Sequence, residues 1–237
     1  MTLPHADDAR RAEIEAGLAA ARARIAVAER AAGRAPGSVE LVVVTKTFPV
    51  SDVVTLADLG VRHVGENRDQ EARPKAEAVA NPSLVWHFIG QLQSNKARSV
   101  AQYAHVVESV DRPKLVRALS HAAESTGRPL EVLVQVCLDD RPGRGGAAPQ
   151  DVSELASAVA VAPGLTLRGV MAVAPLESDP DPAFARLAEI AAEVAAEHPA
   201  ATVVSAGMSA DLEAAVRHGA TQVRLGSAVL GYRPPVG

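Results

Sequence analysis

Hydrophobic positions in this chain switch period repeatedly, from short continuous apolar runs to stretches in which apolar residues recur at helical spacing. Over residues 6–32, Ile14, Leu18, Ala21 and Ile25 recur among Arg and Glu, which predicts one long amphipathic helix ended near Gly33 and Pro36. The run Leu41-Val42-Val43-Val44 reads as a strand buried on both faces, and Pro49 stops regular structure soon after it. A helix capped by Ser51-Asp52 then runs through Leu59, Gly60 closes it, and a strand over 61–64 leads into Gly65-Glu66-Asn67. A helix over 68–80, kinked or started by Pro74, precedes a strand over 84–89, and the stretch 90–96 leads into a third helix. The series continues with strands over 105–110, 130–138, 167–173, 202–205 and 222–225, and with helices over 113–125, 151–161, 182–197 and 209–218. The segment 139–150, rich in Gly and Arg, lacks apolar anchors and reads as a mobile loop.

Eight strands alternating with helices through short links predict an α/β fold, a single (β/α)8 TIM-like barrel over 37–237, with the helix in 1–36 as an addition that lies against it. A doubly wound open sheet is the rival architecture. Both place chemistry at the carboxyl ends of the strands. There stand Lys46, Glu66 and Asn67, Gly90 and Gln91, Met171, the stretch 205–209, and the stretch 224–227.

Composition narrows the reading further. Aromatic residues are only 3% of the chain although 48% is hydrophobic, so the core must be built from Ala, Val and Leu, as suits helices around buried parallel strands. A net charge of −4 argues against a nucleic-acid partner held by bulk electrostatics. The single cysteine, Cys137, excludes an internal disulfide framework and points to a reducing compartment. With neither an apolar leader nor a run long enough to span a bilayer, a cytoplasmic protein without membrane contact is expected.

Lys46, at the end of the first strand, admits two readings. Its ammonium snorkels to solvent, or it is a partly desolvated amine able to attack an aldehyde and form a Schiff base. A second feature bears on the choice. Barrels often bind phosphate with the loops after strands seven and eight. Here those loops carry Ser209, Gly226 and Ser227, whose hydroxyls and closely approachable backbone suit an oxyanion. An aldehyde and a phosphate on one ligand suggest pyridoxal 5′-phosphate.

Five motifs, Val44-Thr45-Lys46-Thr47, Gly65-Glu66-Asn67, the tract from Trp86 to Lys96, Gly207-Met208-Ser209-Ala210-Asp211 and Val223-Arg224-Leu225-Gly226, resemble those of the YggS/PROSC family of pyridoxal phosphate homeostasis proteins. The resemblance runs over nearly the whole chain from Val39 onward. It implies a barrel like the N-terminal domain of alanine racemase that holds pyridoxal 5′-phosphate as a lysine aldimine and acts in vitamin B6 homeostasis as carrier or regulator. By motif, Lys46 forms the aldimine, Ser209, Gly226 and Ser227 hold the phosphate, Arg224 faces the pyridine nitrogen, and Asn67 and Met171 line the ring. An arginine at that nitrogen disfavours ring protonation and makes the cofactor a weak electron sink. A monomer that passes cofactor to apo enzymes is expected, not a catalyst. The alternative is an amino-acid racemase or decarboxylase, but the two tyrosines, Tyr103 and Tyr232, follow no strand at the active-site face, and the chain ends before any further β domain that would bring in a second base.

Three other features carry less. Gly143-Arg144-Gly145-Gly146-Ala147-Ala148 fits a dinucleotide fingerprint but stands too far from its strand. His63, His87 and His105 lack metal-ligand spacing and read as hydrogen-bonded core histidines. Cys137 reads as a small core residue, and Arg141 and Arg144 as a solvated loop pair.

Overall fold

A computed structural model describes residues 5–139, 141, 143–175 and 178–232. Eight parallel strands pair in chain order and the last closes on the first: β1 (Glu40–Val44), β2 (His63–Glu66), β3 (Val85–Phe88), β4 (Val106–Val110), β5 (Leu130–Val136), β6 (Leu165–Ala172), β7 (Val203–Ser205) and β8 (Gln222–Leu225). Closure through β1 and β8, with Val42 opposite Arg224 and Val43 opposite Leu225, excludes the open sheet. The helices are α1 (Asp8–Ala31), α2 (Val50–Asp58), α3 (Asp69–Val79), α4 (Ala97–Val100), α5 (Pro113–Thr126), α6 (Val152–Ala160), α7 (Asp181–Glu197), α8 (Leu212–Arg217) and α9 (Ser227–Leu230).

Strand alternation sorts the side chains into two cores. Val43, Val64, Phe88, Val107, Val132, Val134, Val223 and Leu225 point outward into the apolar layer beneath the helices. The alternate positions fill the barrel: Val42 and Val44 on β1, His87 on β3, Glu108 on β4, Met171 on β6, Ser205 on β7, and Gln222 and Arg224 on β8, all buried. Small apolar residues dominate the outer layer, as the scarcity of aromatics requires.

Helix α1 buries Ile14, Leu18, Ala21, Ile25 and Ala28, and Asp7 caps it by accepting from the Arg10 N–H at 2.8 Å. Its polar face ties it to the carboxyl-terminal part of the barrel. Arg24 donates to both oxygens of Glu213 at 2.6 and 2.7 Å and to the Ser209 carbonyl at 2.7 Å. Arg10 reaches Asp52 at 2.7 Å and the Leu230 carbonyl at 2.9 Å.

Several elements differ from the sequence expectation. Strand β2 begins two residues later than expected, because the Val61 N–H closes the end of α2 on the Leu56 carbonyl at 2.9 Å. Helix α2 starts directly after Pro49 with no side-chain cap, and Asp52 is buried against Arg10 instead of capping it. Pro74 lies inside α3. The third helix shrinks to α4 after a 3₁₀ turn over Ser94–Lys96. Helix α8 starts at Leu212 and not at Ser209, since Asp211 turns back to accept from the Met208 N–H at 2.6 Å. Within the stretch 139–150, of which residues 140 and 142 lie outside the described residues, Ala147 is buried and anchors the chain: its N–H donates to Gln135 at 2.7 Å and its carbonyl accepts from Cys137 at 2.9 Å. The glycines of this stretch open no helix, because α6 begins only at Val152 after a 3₁₀ turn over Pro149–Asp151. Among the described residues no helix is long and apolar enough to cross a membrane.

Candidate active site

All seven residues named from the sequence fall at the carboxyl-terminal end of the barrel. Lys46 lies two residues past β1, Asn67 directly follows β2, Met171 is the penultimate residue of β6, and Ser209 follows β7 in a turn. Arg224 lies within β8, Gly226 immediately after it, and Ser227 opens α9.

Lys46 is exposed, so of the two readings of its side chain the structure shows the one open to solvent and not the partly desolvated one. Its backbone is nonetheless held firmly. Thr47 takes a left-handed φ of 68°, which is strained for a β-branched residue, and its N–H donates to Glu71 Oε2 at 3.0 Å. Beneath the turn, Lys75 Nζ donates to the Thr45 carbonyl at 2.8 Å and to Glu66 Oε1 at 2.7 Å, and the Thr45 hydroxyl donates to the same oxygen at 2.6 Å. Thr45, Glu66 and Lys75 are all buried. Burial pushes the Glu66 carboxyl up, against the Lys75 ammonium and the Thr45 hydroxyl that draw it down. Helix α3 therefore fixes the place at which Lys46 emerges.

Two glycines allow the loops to meet. A Cβ on Gly90 would stand 2.1 Å from the Asn67 carbonyl oxygen, so only glycine lets the loop after β3 lie against Asn67. A Cβ on Gly226 would stand 3.3 Å from the Val44 carbonyl oxygen, which puts the end of β8 directly beside the end of β1 and the approach to Lys46. Next to Asn67 a cavity of about 580 Å³ is lined by Gln91, Gln93 and Lys96.

Arg224 is buried, and both of its terminal nitrogens donate. Nη1 donates to the Ser205 hydroxyl at 2.6 Å and Nη2 to the Ala172 carbonyl at 2.9 Å, while Glu108 Oε2 lies 3.8 Å from Nη1. Burial draws the guanidinium below its ordinary value, opposed by Glu108 and Asp211. Burial also works against ionisation of Glu108, but His87, Arg224 and Ser205 outweigh it and hold that carboxyl below the ordinary range. Met171 is buried opposite Ser205 on the neighbouring strand. Among the described residues no group of His, Cys, Asp and Glu is arranged to hold a metal ion. Tyr103 is buried, and desolvation followed by the nearby Asp69 pushes its phenol well above its ordinary value. Cys137 donates to the Asp139 carbonyl at 3.2 Å, and Asp139 pairs with both Arg141 and Arg144, at 2.7 and 2.9 Å.

Sequence reasoning missed Lys75, Glu108 and Gln222. Glu108 had a signal: a carboxylate amid Val106, Val107 and Val110 must be paired if that strand is buried. Lys75 had none, because it stands in a helix otherwise rich in surface charges.

The family model described as alanine racemase, N-terminal domain, matches residues 17–234. The pyridoxal phosphate homeostasis protein of Mycobacterium tuberculosis is 44% identical over 243 residues, covering 94% of each chain. The chain belongs to the pyridoxal phosphate homeostasis branch of the alanine racemase N-terminal domain family. Within this family, the structure of PipY from Synechococcus elongatus with PLP bound is 33% identical, with a TM-score of 0.79 over 92% of this chain and all of that one. Alanine racemase from Corynebacterium glutamicum shares the fold, with a TM-score of 0.69 at 16% identity, over 96% of this chain and 62% of that one.

Proposed function

We infer that this protein binds pyridoxal 5′-phosphate at the carboxyl-terminal mouth of the barrel and serves in pyridoxal phosphate homeostasis as a carrier or regulator in the cytoplasm. The observation that carries the reading is the meeting of β8 and β1 at Gly226 and Val44, which brings an oxyanion-compatible turn beside the one lysine that leaves β1. The family relatives named for this cofactor support it.

The residues present fit the cofactor. Lys46 would supply a primary amine at the open end of the barrel to hold the cofactor through its aldehyde. Ser209, Ser227 and the backbone at Gly226 offer hydrogen bonds to a phosphate, each charge-assisted bond contributing about 1.5 to 3 kcal/mol. Arg224, fixed by Ser205 and Ala172, would face the ring nitrogen with its cation and disfavour protonation there. Asn67 and Met171 border the ring. When bound, the cofactor supplies an electron sink for carbanions, and Arg224 makes that sink weak.

The chain is a holder and not an efficient catalyst. Two-base racemisation needs a proton acceptor on each face, and Tyr103 is buried with its phenol pushed up while Tyr232 is exposed beyond α9. Incubation with alanine in heavy water is expected to give slow, largely retentive deuterium uptake without D-alanine. Multiple-turnover racemisation lost in Lys46→Ala would move the protein to the catalytic class. Binding itself is tested by absorbance with and without added pyridoxal 5′-phosphate: a visible band that borohydride bleaches is expected, and its absence sinks the reading.

A further inference from the structure

A cavity of about 640 Å³ opens at the amino-terminal mouth, opposite Lys46, and is bordered by His63, His87 and His105 with Glu40, Glu131 and Arg168. From it a line of side chains runs up through the barrel. His63 Nδ1 lies 2.9 Å from His87 Nε2, and His87 Nδ1 lies 2.7 Å from Glu108 Oε1. A carboxylate only accepts, so His87 Nδ1 carries a proton. His63 Nδ1–H can then donate to His87 Nε2, and Nε2 of His63 lies 3.7 Å from Glu40 Oε1, where a proton can be taken up.

Glu108 joins this line to Arg224. It is completely buried, and Gln222 Nε2 donates to its Oε1 at 2.8 Å. The Ser205 hydroxyl donates to Oε2 at 2.6 Å, and the same hydroxyl oxygen accepts from Arg224 Nη1 at 2.6 Å. The carboxylate thus sets the direction of the serine O–H, and the serine oxygen sets one of the guanidinium bonds.

The charged neighbours of His63 are Arg62 beside it, Glu40 on β1, His87 on β3 and Glu108 on β4, while His105 and its neighbour Arg128 approach from the start of β4 and from the loop before β5. A proton taken up at His63 Nε2 lets the Nδ1 proton pass to His87 Nε2. One proton enters and none is lost, so the line that ends at Glu108 gains one positive charge. The carboxylate's charge is then shared with that added charge and holds the Ser205–Arg224 pair less strongly.

We propose that Glu108 is the positioning residue for Arg224: through Ser205 it fixes the guanidinium that faces the ring nitrogen of bound pyridoxal 5′-phosphate, and through His87 and His63 it makes that hold respond to protonation at the opposite mouth. The proposal rests on the ring-nitrogen reading of Arg224 given above.

The test compares binding of pyridoxal 5′-phosphate with binding of its analogue in which carbon replaces the ring nitrogen. Aldehyde and phosphate are the same in both, so the ratio of affinities reports the ring-nitrogen contact alone. Wild type should favour the natural cofactor by about tenfold, one charge-assisted hydrogen bond. Glu108→Gln should bring the ratio close to one while borohydride still traps the cofactor on Lys46. Damage that is merely structural lowers both affinities together. Between about pH 8 and pH 5.5 the wild-type ratio should fall more steeply than that of His63→Gln, which still donates to His87 but takes up no proton. A wild-type ratio of one overturns the ring-nitrogen reading and the proposal with it. A ratio that Arg224→Lys abolishes, but that Glu108→Gln leaves unaltered and whose pH slope His63→Gln does not change, overturns the proposal alone. If Glu108→Gln does not fold, the His63→Gln slope decides.

Discussion

From the amino-terminal mouth of this barrel a line of polar side chains bonded to one another runs up the interior, whereas at the carboxyl-terminal mouth the contacts hold the turns in place and leave Lys46 exposed. His63, His87, Glu108, Ser205 and Gln222 form one continuous hydrogen-bonded line. At the other end, α3 holds Thr45 and the Thr47 turn through Lys75 and Glu71, and Arg24 holds the Ser209 carbonyl. Among the described residues, neither the Lys46 ammonium nor the hydroxyls of Ser209 and Ser227 are engaged in these contacts. The difference teaches where a ligand belongs: where the turns are held from below and the groups that would meet a ligand are not. It also teaches that the two ends are not independent, since Arg224 belongs to both.

The comparison can be broken at either end. Its largest expected consequence is at Lys46: Lys46→Ala should abolish the borohydride-trapped cofactor completely while leaving the circular dichroism spectrum unchanged, because the side chain is exposed. An adduct of undiminished yield would reject the assignment. Next comes the scaffold beneath it. Lys75→Met should leave Glu66 buried without its cation and cost about 3 kcal/mol, read as a lower urea midpoint with unchanged m-value. A midpoint equal to wild type would show that the ion pair is not needed. At the phosphate turn, Ser209→Ala should weaken pyridoxal 5′-phosphate by roughly tenfold, about 1.5 kcal/mol, and barely affect unphosphorylated pyridoxal. Equal losses for both ligands would count against the turn as the phosphate site.

The smallest effect is at the amino-terminal mouth and depends on pH. Burial holds His63 below the ordinary histidine value, helped by His87, and burial does the same for His105, helped by Arg128 and His87. In the unfolded chain both take up protons near pH 6.5, and in the folded protein only at lower pH. The stability they confer is therefore present above about pH 6.5 and is lost as pH falls through the folded values. The melting temperature should drop on acidification through this range, with a shallower drop in His63→Gln. A melting temperature that does not change with pH would show that these histidines are not held in their neutral form.

The fold was legible because β-branched runs such as Val42-Val43-Val44 and Val132 to Val136 can only be buried strands, and eight of them at regular spacing have few arrangements. Errors gathered where local signals compete. Val61 is as apolar as a strand residue but completes the turn after α2, so β2 was placed too early. Ser209 looks like an N-cap, yet Asp211 two residues on forms the turn. Helix α9 is too short to show a period at all. The site residues could be named because each stands at a strand end, but the supports could not: Lys75 stands among surface charges and turns inward onto Glu66 only once α3 packs on β2, and Glu108 meets Ser205 only across the closed barrel.

The most direct test is to load the wild-type protein with pyridoxal 5′-phosphate, reduce it with borohydride, digest it and map the modified residue by mass spectrometry. A single modified peptide carrying the reduced cofactor on Lys46 is the predicted result. Label spread over Lys96 and Lys114, or an adduct that leaves Lys46 unmodified, would contradict it.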